Sequence, residues 1–100
     1  MIINVTENDI VKAMNNPKHN PVQIAVSRTL NVDIKDVDYE GGDRMVVWYE
    51  DEIDHVTYIV EDENLERFME EWDFFLEECV DFAEEPFSFS AEERKFQSFS

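Results

Sequence analysis

Residues 44–85 read RMVVWYEDEIDHVTYIVEDENLERFMEEWDFFLEECVDFAEE, which is two strand patterns followed by one long helix pattern. β-Branched and aromatic residues dominate 44–50, and apolar and polar residues alternate over 55–61, as is typical of β-strands. From Asn64 to Glu85 the apolar residues instead recur at steps of three and four, which predicts one amphipathic helix facing a sheet. Together these segments predict an α+β fold.

The N-terminal part of the chain predicts a strand and two short helices. MIINV at 1–5 is a candidate first strand. Thr6 and Asp9 have the spacing of a capping box, so a short helix should run from there to about Met14. Asn20-Pro21 predicts the start of a second, well-buried helix, because asparagine caps helices and proline suits the first helical position.

The remaining segments complete the predicted architecture. DIKDVDYE at 33–40 predicts a charged edge strand that joins 44–50 and 55–61 in an antiparallel meander, and PFSFS at 86–90 predicts a last edge strand. We therefore predict a single α+β domain over 1–90. Its antiparallel sheet of three to four strands is packed by the long acidic C-terminal helix and the two short N-terminal helices, and 91–100 is a loosely attached tail.

Composition excludes several classes of protein. The chain is 43% hydrophobic and 13% aromatic, which is too apolar for a disordered acidic tail. No apolar run approaches the roughly 20 residues that span a bilayer, and 1–9 lacks the basic and apolar regions of a signal peptide. The single cysteine, Cys79, excludes an internal disulfide and suits a reducing cytosol. We expect a cytoplasmic protein, located in the host cell cytoplasm if the chain is viral.

The net charge of −17 is concentrated in the middle of the chain. Residues 33–85 hold 21 acids against three bases, whereas 1–32 holds two acids against three bases and 86–100 is balanced. Such a distribution disfavours nucleic acid and anionic membranes as partners and favours a basic protein surface.

The helix predicted at 64–85 carries nine carboxylates and one base, Arg67. Over about 33 Å of helix, the net charge is about one per 4 Å, close to the one per 3.4 Å of a single DNA strand. Acids of the strands and their turns could supply a second row, namely Asp36, Asp38, Glu40, Asp43, Glu50, Asp51, Glu52, Asp54, Glu61, Asp62 and Glu63. The residues predicted to bind a partner are Glu66, Glu70, Glu71, Asp73, Glu77, Glu78, Asp81 and Glu84.

Carboxylates three or four residues apart on a helix repel one another, and here this repulsion costs about 1–2 kcal/mol in total. A surface selected only for solubility would mix charges of both signs. The acidic face is therefore either functional or merely solubilising, and the sequence leaves both interpretations open.

Catalytic and metal-binding patterns are weak. Residues 36–41 resemble the start of a calcium loop, but Val47 occupies the twelfth position, where a bidentate glutamate belongs. Acids at 51–54 next to His55 are best explained as solvated turn residues. Both glycines lie in one turn, so no glycine-rich phosphate loop is present. We predict no catalytic residue, no metal site and no cofactor, and hence a protein that is not an enzyme.

Three short motifs resemble a known group of proteins. They are I-x-V-T-x-x-D-I at 3–10, NPVQIAVSRTL at 20–30 and PFSF at 86–89. Together they are similar to small uncharacterised α+β domain proteins of bacteriophages and mobile elements. In those proteins a capped helix precedes a C-P-I/V-A-x-A-L/I helix, strands, a short helix ending in F-x-x-x-F-D and a P-F-x-F strand. Asn20 replaces the expected cysteine here. The resemblance implies a viral setting and a fold class, but no activity.

These observations predict a DNA-mimic protein that binds and inhibits a basic nucleic-acid-binding host protein, with carboxylates in place of phosphates. A homodimer would lengthen the anionic track. The alternative is a non-enzymatic interaction or assembly module that docks through apolar surface and uses its acidity only for solubility. Exposed aromatic residues such as Phe87, Phe89, Phe96 and Phe99 would then form the contact.

Overall fold

A computed structural model of the chain describes residues 1–41, 44–48, 55–60, 62–78, 81–82 and 84–94. These residues form an α+β fold with two antiparallel sheets and three α-helices, which confirms the predicted fold class. The helices are α1 (Glu7–Asn15), α2 (Pro21–Leu30) and α3 (Glu63–Glu78). The strands are β1 (Ile2–Val5), β2 (Val37–Gly41), β3 (Arg44–Trp48), β4 (His55–Ile59), β5 (Phe87–Ser90) and β6 (Glu92–Arg94).

The strands form a four-stranded sheet of order β2-β3-β4-β6 and a two-stranded ribbon of β1 and β5. The chain passes from the ribbon to the sheet at the buried Ala91. The backbone N–H of Ala91 donates to the carbonyl oxygen of Met1 at 2.8 Å, and the N-terminal ammonium donates to the carbonyl oxygen of Ala91 at 3.2 Å. The N-terminus therefore helps to hold the junction between the two sheets.

The core lies on one face of the four-stranded sheet. Tyr39, Met45 and Tyr58 lie side by side across β2, β3 and β4 on this face. Residues of the ribbon, α2 and α3 join it in one buried cluster. The buried cluster consists of Ile3, Val5, Ile10, Val22, Ala25, Val26, Val37, Met45, Val47, Tyr58, Val60, Leu65, Phe68, Phe89 and Ala91. Helix α3 is therefore fixed by burial of its apolar stripe.

Both N-terminal helices begin at capping boxes. The box of Thr6 and Asp9 and the Asn20 cap are predicted from the sequence, whereas the part of Gln23 in the second box is not. The Thr6 hydroxyl accepts from the Asp9 N–H at 3.2 Å, and the Asp9 carboxylate accepts from the Thr6 N–H at 2.9 Å. Asn20 and Gln23 make the same reciprocal pair at the start of α2. These contacts satisfy backbone N–H groups that have no partner inside the helix.

The predicted extent of the acidic helix is wrong at its C-terminal end. Helix α3 ends at Glu78, and Asp81, Phe82, Glu84 and Glu85 are not helical. Phe82 instead folds back, with its ring centroid 5.2 Å from that of Phe68. In one continuous helix these residues would lie about 21 Å apart along the axis, so the contact requires the chain to reverse. Phe82 therefore belongs to this return and not to a further turn of helix.

Three further details differ from the predictions. Ile34–Asp36 forms a 3₁₀ turn, so β2 begins only at Val37. PFSFS forms β5 but pairs with β1 rather than with the main sheet, because Phe89 lies opposite Ile3 and both are buried. Glu92–Arg94, in the predicted loose tail, forms β6 and pairs with β4. The remainder of that tail lies outside the described residues.

Candidate functional site

Helix α3 positions most of the predicted partner-binding residues. Leu65, Phe68 and Trp72 are buried along one side of it. The Asp62 carboxylate caps its N-terminus by accepting from the backbone N–H groups of Asn64 at 2.8 Å and Leu65 at 3.3 Å. This cap and the buried stripe fix which side of the helix faces outward.

Five exposed carboxylates form one row along the outer side of α3, which we call the acidic row. Its members are Glu63, Glu66, Glu70, Asp73 and Glu77. They follow one another at steps of three and four residues, span about 21 Å and lie within about 80° around the helix axis. One carboxylate per roughly 5 Å approaches the charge spacing of a single nucleic-acid strand.

The described structure gives the acidic row no basic partner. Its two ion pairs among described residues are Arg28 with Asp9 at 2.8 Å and Lys35 with Asp33 at 4.0 Å, and neither involves α3. Arg67, the single base of α3, lies on the neighbouring strip with Glu71 and Glu78. The carboxylates of the row therefore face solvent and one another.

Phe74 interrupts this charged surface. Its side chain is 51% exposed and lies between the acidic row and the strip that carries Glu71 and Glu78. Leu76, 43% exposed, lies at the edge of the buried stripe. Exposed aromatic side chains surrounded by polar groups are common anchors in protein interfaces. The outer face of α3 thus combines many negative charges with one aromatic contact.

Six of the eight predicted partner-binding residues lie on α3 and are exposed: Glu66, Glu70, Glu71, Asp73, Glu77 and Glu78. Asp81 and Glu84 lie beyond its end, and Glu84 is partly buried, so these two do not continue the row. Glu63, predicted only as part of a possible second row, joins the acidic row of α3 because the Asp62 cap starts the helix one residue earlier than predicted.

The strand acids in the described part of the chain do not form a second row beside α3. Asp38 lies opposite Val46, and Glu92 opposite Ile59. These two positions alternate with core positions, so they lie on the other face of the sheet. Glu93 lies opposite Tyr58 on the core side of the edge strand β6, and a single carboxylate does not make a row. Six more of the predicted contributors, Asp43, Glu50, Asp51, Glu52, Asp54 and Glu61, lie outside the described residues. Among the described residues, the anionic surface is therefore the face of α3.

The described residues contain no group of three or more His, Cys, Asp or Glu side chains placed to hold a metal ion. None of their helices combines the length and the apolar character that a membrane crossing requires. Comparison with known proteins finds no matching family model, curated protein or solved structure. The resemblance to phage proteins therefore stays a prediction.

Proposed function

We propose that this protein is an acidic decoy of the DNA-mimic type, which binds a basic nucleic-acid-binding host protein and inhibits it by occupying its nucleic-acid groove. The observation that carries the proposal is the acidic row of α3, five exposed carboxylates without a basic partner among the described residues. Their mutual repulsion is relieved when Lys and Arg side chains of a partner approach.

Charge density supports this function more than total charge does. Helix α3 carries seven acids and one base over its 16 residues, so about 24 Å of helix holds a net charge of −6. That is about one charge per 4 Å, against one per 3.4 Å for a DNA strand. A groove lined with Lys and Arg would be attracted to this surface, and electrostatic steering would speed the association.

Phe74 would add contact energy that a phosphate backbone lacks. Its ring stands among carboxylates, where it can stack on an arginine side chain that also pairs with the row. A partner bound in this way would be held partly by apolar contact, so its affinity would fall with salt without vanishing.

The experiment compares three immobilised forms of the chain. They are the wild type, a row variant (Glu70→Gln, Asp73→Asn, Glu77→Gln) and a strand variant with the same change of charge (Asp38→Asn, Glu92→Gln, Glu93→Gln). Each is exposed to a nuclease-treated bacterial lysate and washed with duplex DNA at constant ionic strength. We expect the wild type and the strand variant to retain nucleic-acid-binding proteins that the duplex elutes, and the row variant to lose them. Equal retention by all three forms contradicts the proposal.

The alternative function, docking through apolar surface, draws on a different set of residues from those predicted. Phe89 is 2% exposed and Phe87 packs on Phe68 with ring centroids 4.7 Å apart, so neither is free to bind a partner. Phe96 and Phe99 lie outside the described residues. Phe74 and Leu76 favour this alternative instead. If this alternative holds, the double variant Phe74→Ser, Leu76→Ser should no longer retain the partner protein from the lysate. The row variant should still retain it, even in high salt.

A further inference from the structure

A groove lies between helix α1 and the segment that follows α3. It encloses about 510 Å³, within the usual range of about 300–1,000 Å³ for ligand sites. Its apolar lining includes Val11 and Met14 from α1 and Phe82 from the segment after α3. We call this the returning segment; its described residues are 81–82 and 84–86. The described lining residues include three acids, Glu7, Glu84 and Glu85, and no base.

The sequence of α1 accounts for its side of the groove. Ile10 and Ala13 are buried and hold the helix on the core. Glu7, Val11 and Met14 lie on an adjacent strip, because they are separated by four and three residues. Val11 is 46% exposed and Met14 36% exposed, so this strip remains uncovered along the described chain.

The returning segment builds the other side. Phe82 meets Phe68 and Trp72 edge-on, with ring centroids 5.2 Å apart in each case, and these contacts hold the segment against α3. Glu84 and Glu85, two and three residues after Phe82, also line the groove. An apolar floor is thus bordered by carboxylates from both sides.

We infer that this groove binds a cationic amphipathic segment of a partner protein, with one large apolar side chain against Val11, Met14 and Phe82. Flanking Lys or Arg side chains pair with Glu7, Glu84 and Glu85. Charge complementarity selects this occupant, because a second copy of a chain with net charge −17 would bring acids against acids. The inference is independent of the proposed function, which rests on the opposite side of α3.

The test uses two synthetic peptides of equal charge. One has a central tryptophan flanked on each side by two lysines, and the other has serine in place of the tryptophan. Affinities are measured by isothermal calorimetry at physiological ionic strength, and methyl NMR locates the bound peptide on the full chain. We expect the tryptophan peptide to bind at least tenfold more tightly and to shift the methyl signals of Val11 and Met14.

A substitution separates groove binding from general attraction to an acidic protein. Met14→Glu adds a negative charge, so attraction by charge alone would strengthen binding of the tryptophan peptide. The groove predicts at least a tenfold loss, because the apolar floor is removed. Val11→Thr leaves the charge unchanged and the volume nearly unchanged, so attraction by charge alone predicts equal affinity. The groove predicts weaker binding, and this comparison decides between them if Met14→Glu impairs folding. Glu70→Gln, on the far side of α3, is the matched control and should change affinity less than twofold.

Three results obtained with the peptides would overturn the inference. They are equal affinity for the two peptides, tighter binding to the Met14→Glu variant, and peptide binding that leaves the Val11 and Met14 methyl signals unshifted. Shifts of the Val11 and Met14 methyls that depend on protein concentration without peptide would place a second copy in the groove and would also overturn it. The row variant keeps every groove residue and should bind the tryptophan peptide with the affinity of the wild type. Failure of the DNA-mimic proposal therefore does not affect the outcome of this test.

Discussion

Neutralising the middle of the acidic row should stabilise the fold at low salt. In the row variant, Glu70→Gln, Asp73→Asn and Glu77→Gln remove the like-charge neighbours 66/70, 70/73 and 73/77. Each such pair costs roughly 0.2–0.5 kcal/mol. Glu77 also lies in the last turn, where a negative charge opposes the helix dipole by roughly 0.3–1 kcal/mol. The expected gain is therefore about 1–2 kcal/mol.

Thermal unfolding followed by circular dichroism measures this gain. One kcal/mol corresponds to roughly 4–8 °C in a domain of this size, so the midpoint should rise by roughly 5–15 °C at low ionic strength. In about 1 M salt the difference should largely disappear, because the screening length of about 3 Å is shorter than the spacing of the row. The row variant keeps Glu63 and Glu66, because acids in the first turn interact favourably with the positive end of the helix dipole.

The strand variant controls for the total change of charge. Its three sites have no neighbours at helical spacing, so its midpoint should rise by less than half as much. An unchanged or lower midpoint for the row variant at low salt would refute the reasoning, because it would mean that the carboxylates have stabilising partners. An equal rise in both variants would also refute it, by showing that only net charge matters.

Three other substitutions test the packing, each by urea denaturation. Asp9→Ala should cost about 2–4 kcal/mol, because the buried carboxylate accepts both the Thr6 N–H and the Arg28 guanidinium; a loss below 1 kcal/mol would contradict this. Asp62→Ala should cost about 1 kcal/mol through loss of the α3 cap, and Asp62→Asn should recover most of it. Phe82→Ala should cost about 2–4 kcal/mol, and an unchanged midpoint would show that the segment after α3 is not held by its ring contacts.

The sequence predicts the local structure well where the signals are themselves local. Thr6 with Asp9 and Asn20 with Gln23 satisfy each other within four residues, so both helix starts can be read from the chain. β3 and β4 are likewise marked by their own composition. The end of α3 depends on a distant contact, the return of Phe82 to Phe68, and apolar periodicity alone cannot distinguish it from another turn of helix.

Long-range pairing limits what can be predicted about the site. The pattern of PFSFS marks a strand but does not reveal that β1 is its partner. The side of the sheet on which Asp38 and Glu92 lie depends on strand register, so the absence of a second acidic row among the described residues could not be foreseen. The groove was missed for the same reason, because it joins α1 to a segment about 70 residues later in the chain.

The most direct test of the central claim, that the acidic row takes the place of a nucleic-acid strand, is competition for a protein retained by the immobilised chain. A fluorescent duplex is bound to that protein, and its anisotropy is followed as the chain is added. The account predicts that the wild type and the strand variant release the duplex, and that the row variant requires at least ten times more protein. Binding of the chain without release of the duplex, or equal competition by the row variant, would contradict it.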